Sequence, residues 1–393
     1  MRVLLVSHTC QSLTEGQPKA DALATYRDLH LRVIVPDRWR HYGSWRSATV
    51  RRDAGFKLDV QKVRLPWAGP AQFYMHWYPG LATAMREFKP DVIDLWEEPW
   101  GLVSAHTCWL RNRLMPATKI VSETEQNVSK KLPFPFEQMR RYTLRNADFA
   151  VGRSSEAIEI LRSKGFNGPA EVVPNAVDAT LFRPLDRGDA KRLLGINGFV
   201  AGYVGRLVAE KGLMDLVAAI RSCPDDVHLV FVGSGPLKED LARFAEKLGK
   251  GKQLHLLPAR PAGELPILMN AMDVLVLPSR TTPRWKEQFG RVIIEASACG
   301  IPVIGSNSGA IPEVVGAGGI IVPENNPEAI AQAIIHLRSS ADLGRSYGIA
   351  GRRQVESLYT WDRVAERMRA IYLKVYAMTR PRIPVNCPSF PNS

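Results

Sequence analysis

Short apolar segments alternate with segments of helical period along almost the whole chain, and this alternation constrains the fold more than any other feature. The apolar segments, such as Val3–Val6 and Val274–Leu277, are rich in Val, Ile and Leu. Parallel strands that are buried on both faces have this composition, whereas a strand with one wet face alternates apolar and polar residues. The sequence therefore predicts an α/β fold with helices on both faces of parallel sheets.

The strand candidates number thirteen, which is more than one open sheet usually holds, so two doubly wound domains are predicted. The candidates of the first half are Val3–Val6, Leu31–Val35, Leu58–Val63, Val92–Leu95, Lys119–Ser122, Phe149–Val151 and Glu171–Val173. Those of the second half are Phe199–Val204, His228–Val232, Gln253–Leu257, Val274–Leu277, Pro302–Ile304 and Gly319–Val322. The helical segments between them include Lys19–Asp28, Pro79–Phe88, Met214–Arg221, Leu237–Lys247 and Pro327–Leu337.

The boundary between the two domains is predicted in the segment Phe182–Asn197. Pro184 and Gly188 are typical of a connector, and a new strand begins at Phe199. The predicted units are an N-terminal domain over residues 1–183, a C-terminal domain over residues 184–360, a helix over residues 361–378 and a proline-rich, disordered tail over residues 379–393.

The charge balance points to an anionic partner. The chain has 393 residues, with 52 Lys and Arg against 39 Asp and Glu, which gives a net charge of +13. Nucleic acid, a phosphorylated substrate and an acidic membrane all fit such an excess. The five cysteines show no metal-like spacing and are typical of reduced thiols in a cytosolic protein. No apolar run reaches about 18 residues, so a cytoplasmic protein whose membrane contact is at most peripheral is expected.

The first strand of the second half leads into a basic loop with the sequence GRLVAEKG. Gly205 allows a tight exit from the strand, and Arg206 and Lys211 flank the loop. A guanidinium fork and an ammonium group beside helix N–H groups form a good clamp for a diphosphate. A solvated basic turn explains the same residues equally well when the loop is considered alone.

The next strand ends in Gly233-Ser234-Gly235-Pro236, which holds half of a dinucleotide-binding fingerprint. The third glycine is missing, so a tight strand–helix turn is the simpler interpretation of this stretch alone. Its predicted position beside the Arg206 loop favours a ligand contact, because ligands bind at the carboxyl ends of such strands.

The segment Glu287–Glu295 carries the strongest functional signal. Gly290 allows a helix to start close to a ligand, Glu287 stands just outside that start, and Glu295 lies about one and a half turns inside. Two carboxylates placed in this way can hold sugar hydroxyls while the helix N-terminus holds phosphate. Acidic residues also occur near helix N-termini simply because they complement the helix dipole. This alternative accounts for one of the two glutamates more readily than for both.

Together these residues resemble the retaining nucleotide-sugar glycosyltransferases of family 4, also called group 1 glycosyltransferases. The resemblance is close over residues 199–372 and loose in the first half. It rests on an ordered set of motifs: GRL…EKG, VGSGP, the E-x7-E pattern of Glu287 and Glu295, ACGIPVI, SGAIPE and the junction PNAVD…FRP. The resemblance implies the GT-B fold, in which two Rossmann-like domains face a central cleft.

The resemblance also implies a reaction, with a sugar moving from a UDP- or GDP-sugar to a hydroxyl of a glycan or lipid-linked acceptor. Retention of anomeric configuration and a place in cell-surface polysaccharide or glycolipid biosynthesis are expected. The expected catalytic residues are Arg206, Lys211 and Glu287. The expected donor-binding residues are Gly205, Gly233, Ser234, Phe289, Gly290, Arg291 and Glu295. No cofactor and no metal are expected, since the sequence has no DxD motif and no His/Cys cluster.

The first half departs from the family at two places. Many relatives have Gly-Gly in the loop after the first strand, where this chain reads Thr14–Lys19, and many have a His at a strand end where this chain reads Ser122–Asn127. The contacts to the acceptor are therefore less certain than those to the donor. The acceptor-side candidates are His8, Gly16, Glu125 and Asn127, and a structural role for His8 fits equally well.

The segment Pro36–Lys57 mixes several Arg residues with Trp39, Tyr42, Trp45 and Phe56. Such a mixture suits an anionic membrane surface or a lipid-phosphate acceptor, and a solvated loop with core aromatics is the alternative. Nucleic acid fits less well, because the sequence shows no recognition fold.

Two other functions remain open from the sequence. A nucleotide-sugar epimerase or phosphorylase has a similar two-domain architecture, and a non-catalytic binding module can retain the fold. The complete set Arg206, Lys211, Glu287 and Glu295 speaks against a non-catalytic module. The sequence leaves the choice between UDP and GDP, the sugar and the acceptor undetermined.

Overall fold

A computed structural model of the chain describes residues 1–41, 44–51, 53–65 and 71–378. All thirteen predicted strands are present, with ends within two residues of the predicted ones. The strands are β1 (Arg2–Val6), β2 (His30–Pro36), β3 (Arg38–His41), β4 (Ser44–Ser47), β5 (Lys57–Gln61), β6 (Val92–Leu95), β7 (Lys119–Thr124), β8 (Phe149–Gly152), β9 (Ala170–Val172), β10 (Phe199–Val204), β11 (Val227–Val232), β12 (Leu254–Leu257), β13 (Val274–Leu277), β14 (Val303–Ser306) and β15 (Gly319–Val322).

Fifteen α-helices connect and cover these strands in the described part of the chain. They are α1 (Gln17–Ala24), α2 (Ala71–Met75), α3 (Leu81–Phe88), α4 (Leu102–Leu114), α5 (Phe136–Asn146), α6 (Ser155–Ser163), α7 (Arg187–Leu194), α8 (Leu213–Ala219), α9 (Lys238–Lys247), α10 (Leu265–Asn270), α11 (Arg291–Ala298), α12 (Ile311–Val315), α13 (Pro327–Ser339), α14 (Ala341–Leu358) and α15 (Trp361–Ala377). Within the described residues, none of the helices is both long enough and apolar enough to span a membrane.

Two parallel sheets organise the molecule, with strand orders β5-β2-β1-β6-β7-β8-β9 and β12-β11-β10-β13-β14-β15. In both sheets the order reverses beside the first strand, between β1 and β6 and between β10 and β13. A crevice opens outside the carboxyl ends of the strands at such a reversal, and ligands bind there. Each sheet therefore offers one ligand site, at the ends of β1 and β6 or of β10 and β13.

Strand β1 shows why the sheets need helices on both faces. Val3 and Leu5 belong to one hydrophobic core, whereas Leu4 and Val6 belong to the core on the opposite face, and all four are fully buried. Successive side chains of a strand point to opposite faces, so an unbroken apolar run requires two covering layers. The predicted parallel, doubly wound sheets are confirmed.

Helix α15 ends the described chain but packs on the first sheet. Its residues Val364, Met368 and Tyr372 are buried in the same core as Val3 and Leu5 of β1. The Tyr372 hydroxyl also donates a hydrogen bond of 2.6 Å to Oδ2 of the buried Asp94 in β6. The exact domain boundaries predicted from the sequence remain a prediction, and the tail over residues 379–393 lies outside the described residues.

Two segments differ from their predicted structure. The predicted connector contains helix α7, because Asp186 caps its start by accepting a 2.8 Å hydrogen bond from the Asp189 backbone and Gly195 ends it with a φ of +63°. The predicted basic loop contains the antiparallel hairpin β3–β4. Trp39 and Phe56 of that stretch are buried, so they are core aromatics, whereas Trp45 is exposed.

Candidate active site

The loops that follow β10 and β11 approach each other backbone to backbone. Gly205 has a φ of +152°, and a Cβ atom placed on Gly233 would lie only 1.8 Å from the Gly205 carbonyl oxygen. Ser234 continues the contact, since its carbonyl oxygen accepts a 2.9 Å hydrogen bond from the Leu207 N–H. The two glycine motifs found in the sequence therefore form one surface at the end of the second sheet.

Lys211 and Glu287 meet at the reversal point of the second sheet. The Lys211 Nζ lies 2.5 Å from Glu287 Oε2, and the Ser279 hydroxyl donates a 2.8 Å hydrogen bond to the same oxygen. The Trp285 ring lies 5.0 Å from Nζ, in the range of a cation–π contact. Arg206 stands at the rim, with its side chain 45% exposed and 3.7 Å from Glu210.

Helix α11 begins at Gly290, whose φ of +80° is a left-handed conformation that favours glycine. Arg291 is exposed in its first turn, and the Phe289 ring is buried against Tyr359. Burial raises the pKa of Glu295 above its usual value. The Glu295 carbonyl oxygen accepts from the Cys299 N–H, whereas its carboxylate accepts no hydrogen bond from any residue that the structure describes.

At the reversal point of the first sheet, His8 follows β1 and Glu97 follows β6. The His8 Nδ1 lies 2.8 Å from Glu97 Oε2, and the His8 ring stacks on Trp39 with centroids 4.5 Å apart. Burial alone would lower the pKa of His8, but the adjacent Glu97 outweighs it and raises that pKa. Burial alone would raise the pKa of Glu97, but His8 and His76 lower it to about 2.

A cavity of about 270 Å³ lies between the two halves of the chain. His8, Glu98 and Glu125 line it from the first half, and Gln288 lines it from the second. Burial raises the pKa of Glu98 to about 7. The cavity thus adjoins the loop that carries Glu287 and has an acidic wall, which suits a ligand rich in hydroxyl groups.

Three polar contacts join the halves around this cavity. The Asn127 Nδ2 donates a 2.7 Å hydrogen bond to the Glu287 carbonyl oxygen. Lys286 forms an ion pair with Glu156 at the start of α6, and the Ser155 N–H lies 3.4 Å from a carboxylate oxygen of Glu313. The loop that carries Lys286 and Glu287 is therefore held against the first half of the chain by Glu156 and Asn127.

The structure brings most of the predicted residues together, but Gly16 stands apart from the cavity. A Cβ atom on Gly16 would lie 2.5 Å from the backbone of Thr9 and Cys10, so this glycine serves close packing under the loop after β1. The sequence analysis did not single out Glu97 and Glu98. They lie two and three positions after a predicted strand, so the rule that ligands bind at the carboxyl ends of strands could have found them. His76 and Trp285 carried no such signal.

Comparison with a family model places residues 186–354 in the family "Glycosyl transferases group 1". A GDP-mannose-dependent alpha-(1-6)-phosphatidylinositol monomannoside mannosyltransferase of Mycobacterium tuberculosis is 35% identical over an alignment 396 residues long. The alignment covers 93% of this chain and 97% of that protein. An alpha-maltose-1-phosphate synthase of Mycolicibacterium smegmatis is 33% identical over 229 residues, which cover 52% of this chain and 57% of that protein.

Two solved structures share the architecture over nearly the whole chain. Sucrose-phosphate synthase of Thermosynechococcus elongatus has a TM-score of 0.75 at 21% identity and covers 96% of this chain and 99% of its own. The Anabaena protein HepE in complex with UDP has a TM-score of 0.75 at 19% identity and covers 95% and 100%. At these identities the likeness concerns the fold alone.

Proposed function

The chain belongs to the group 1 glycosyltransferase family and has the GT-B fold, and from this premise we propose that it transfers a hexose from a GDP- or UDP-sugar. The observation that carries the proposal is the meeting of Lys211 and Ser279 on one carboxylate oxygen of Glu287 at the reversal point of the second sheet. GDP-mannose is the first donor to test, because the Mycobacterium tuberculosis mannosyltransferase that is similar over 93% of the chain is described as GDP-mannose-dependent.

In the proposed mechanism, the bond between the anomeric carbon and the diphosphate breaks and the leaving group gains negative charge. Arg206 and Lys211 stabilise that charge, and Glu287 orients Lys211 while its second oxygen is free to accept from a sugar hydroxyl. Groups that are already in place when charge develops need no reorganisation at the moment of reaction. Glu295 and the Gly205–Gly233 surface hold the nucleoside part.

We propose retention of anomeric configuration, with the acceptor hydroxyl attacking on the face from which the diphosphate leaves. The departing phosphate then takes the proton of that hydroxyl. The proposed donor activation uses the cationic side chains of the second sheet and requires no metal there. The acidic cavity beside Gln288 is the proposed acceptor site, with His8 and Glu125 as hydroxyl-binding residues.

The function is tested with a panel of nucleotide sugars, first by thermal shift and then by transfer to phosphatidylinositol mannosides and simple glycosides. A donor present at about 100 times its dissociation constant is expected to stabilise the chain by about 2.7 kcal/mol. Transfer with retained configuration, read by proton NMR of the product, supports the proposal. Product of inverted configuration, interconversion of the donor alone, or phosphate-dependent cleavage contradicts it; the last two indicate the epimerase or phosphorylase alternative.

We further propose that a lipid-linked acceptor is reached at the cytoplasmic face of an anionic membrane, through the hairpin β3–β4. Trp45 of this hairpin is 51% exposed, and the Arg38 guanidinium lies 5.4 Å from its ring. An exposed indole beside an arginine suits the lipid headgroup region.

Flotation with anionic vesicles compares Trp45→Ala with Trp109→Ala, a tryptophan of equal exposure on α4. Binding that is reduced in Trp45→Ala and unchanged in Trp109→Ala supports the membrane contact. No flotation of the unaltered chain at moderate salt, or equal loss in both variants, contradicts it.

A further inference from the structure

Two histidines and one glutamate form a compact group at the carboxyl end of the first sheet. His8 follows β1, His76 follows α2 and Glu97 follows β6. One potential ligand atom from each side chain lies within 4.8 Å of the other two. The three residues are far apart in sequence, so no spacing pattern indicates them.

The separation between Glu97 and His76 is close to that between ligands of one metal ion, whereas Glu97 and His8 are at hydrogen-bond distance and must move apart by about 0.6 Å to share an ion. Glu97 Oε2 lies 2.8 Å from His8 Nδ1 and 3.6 Å from His76 Nε2. Two ligands of a tetrahedral Zn²⁺ with bonds of about 2.1 Å are separated by roughly 3.4 Å. The other carboxylate oxygen of Glu97 accepts a 2.6 Å hydrogen bond from the His8 backbone N–H, which fixes the orientation of Oε2.

In its neutral form, the His76 ring has a lone pair at Nε2 that no donor among the described residues satisfies. Its Nδ1 lies 2.9 Å from the Gln72 carbonyl oxygen, which can only accept, so Nδ1 carries the proton. Its Nε2 is buried, has no hydrogen-bond partner among the described residues and faces the carboxylate of Glu97. A ring N–H bonded to a backbone carbonyl is the arrangement that orients metal-binding histidines. A dication at this place satisfies the Nε2 lone pair and replaces the hydrogen bond between His8 Nδ1 and Glu97 Oε2.

The surroundings favour a positive ion. Glu98 and Glu125 line the same cavity as His8 and Glu97, and no Lys or Arg is among the described residues that line it; Arg153 lies behind Glu125, with its Nε 3.7 Å from the carboxylate. The His8 side chain is 21% exposed, so the group is accessible from the cleft, whereas His76 and Glu97 are buried behind it. Trp39 packs on both imidazoles, with ring centroids 4.5 Å and 4.9 Å away, and limits their rotation.

We propose that His8, His76 and Glu97 bind one transition-metal dication of the zinc class, with an open coordination position facing the cleft. Two imidazoles and one carboxylate are typical of such sites. The proposal goes beyond sugar transfer and does not depend on it, because the proposed diphosphate clamp lies on the second sheet. The open position faces the cavity that Glu98 and Glu125 line.

Metal binding is measured on the full-length chain after treatment with a chelator. Co²⁺ is followed by its d–d absorption and Zn²⁺ by calorimetry. One dication per chain is expected, without a thiolate-to-cobalt charge-transfer band, because all proposed ligand atoms are nitrogen or oxygen. No uptake by the unaltered chain, or a thiolate band, overturns the proposal.

A ligand variant and a control variant locate the site. His76→Ala is expected to weaken binding by more than about 100-fold, since loss of an outer partner alone costs about 10–100-fold. His255→Ala is the matched control, because His255 belongs to the other close histidine pair, with its Nε2 3.1 Å from His228 Nδ1. Unchanged binding in His76→Ala, or binding lost in His255→Ala, contradicts the assignment. Glu97→Gln, which keeps the side-chain shape, serves as the ligand variant if His76→Ala does not fold.

Discussion

At the residue scale, one contact joins the two charges on which the proposed donor chemistry depends. Lys211 and Glu287 are both mostly buried, with side chains 14% and 10% exposed. Removal of either partner leaves the other charge largely buried without its counter-ion, which costs more than the loss of an exposed pair. When Lys211 is removed, the Ser279 hydroxyl remains as a neutral donor to the Glu287 carboxylate.

Lys211→Ala is expected to lower kcat by about 10²–10³-fold, the typical cost of removing one prepositioned donor to a developing charge. The measurement is transfer at saturating donor, with circular dichroism as a check of the fold. Lys250→Ala is the matched control, because Lys250 pairs with the exposed Asp225 away from the proposed site. If the Lys211→Ala enzyme is as fast as the control, Lys211 does not take part in the mechanism.

Gly233→Ala tests the close approach of the two donor-side loops. A Cβ atom at this position would lie 1.8 Å from the Gly205 carbonyl oxygen, so the loops must separate. Overpacking of this kind costs about 1–3 kcal/mol, and we expect a lower Tm and loss of the donor-induced thermal shift. At Gly263 a Cβ atom meets nothing within 4 Å, so Gly263→Ala is expected to leave both measurements unchanged. Equal behaviour of the two variants contradicts the interpretation.

At the scale of elements, helix α15 is attached to the first sheet through a buried charge network. Lys19 Nζ lies 3.0 Å from Asp94 Oδ2 and also pairs with Glu123, and Glu123 pairs with Arg153. Tyr372 of α15 donates to Asp94 at 2.6 Å. Burial raises the pKa of Asp94 to about 7, so the ionised form depends on its donors.

Tyr372→Phe is expected to lower the free energy of unfolding by about 1.5–3 kcal/mol, the typical contribution of a hydrogen bond to a charged group. The loss is expected to be larger at pH 8 than at pH 5, because Asp94 is ionised in the folded chain above its raised pKa and protonated below it. Urea unfolding at both pH values measures the difference. Tyr376→Phe is the control on the same helix, since Tyr376 is 57% exposed. A loss that does not change with pH contradicts the coupling.

At the scale of the whole molecule, the loop that carries Glu287 also spans the cleft. Lys286 pairs with Glu156 of α6, and Asn127 donates to the Glu287 carbonyl oxygen. A displacement of one half against the other therefore moves the backbone that positions the proposed donor residues. We therefore expect donor and acceptor binding to be coupled through this loop.

Charge reversal tests this coupling. Lys286→Glu places two carboxylates together across the cleft and is expected to lower kcat/KM by about 5-fold, which corresponds to about 1 kcal/mol for a partly exposed pair. The double variant Lys286→Glu with Glu156→Lys is expected to recover most of the activity. Failure of the double variant to improve on the single one shows that the pair does not hold the cleft.

The sequence predicted the sheets well because a buried parallel strand is marked by its own residues, as in Val274–Leu277. It predicted that Gly205, Lys211 and Glu287 lie at the carboxyl end of the second sheet because they stand in recognisable local motifs at strand ends, and their roles in donor binding stay a prediction. The group of His8, His76 and Glu97 escaped prediction because three separate elements bring it together. Helix α7 escaped because its capping residue Asp186 was interpreted as part of a connector.

The position of α15 has a consequence for synthesis on the ribosome. The first sheet is complete at Val172, but the helix that covers part of its core begins only at Trp361. At about 5–20 residues per second, the nascent first sheet waits roughly 10–40 s for this helix. During that interval the core around Val3 and the carboxylate of Asp94 lack their last partner, so the nascent chain exposes apolar surface until α15 has been made.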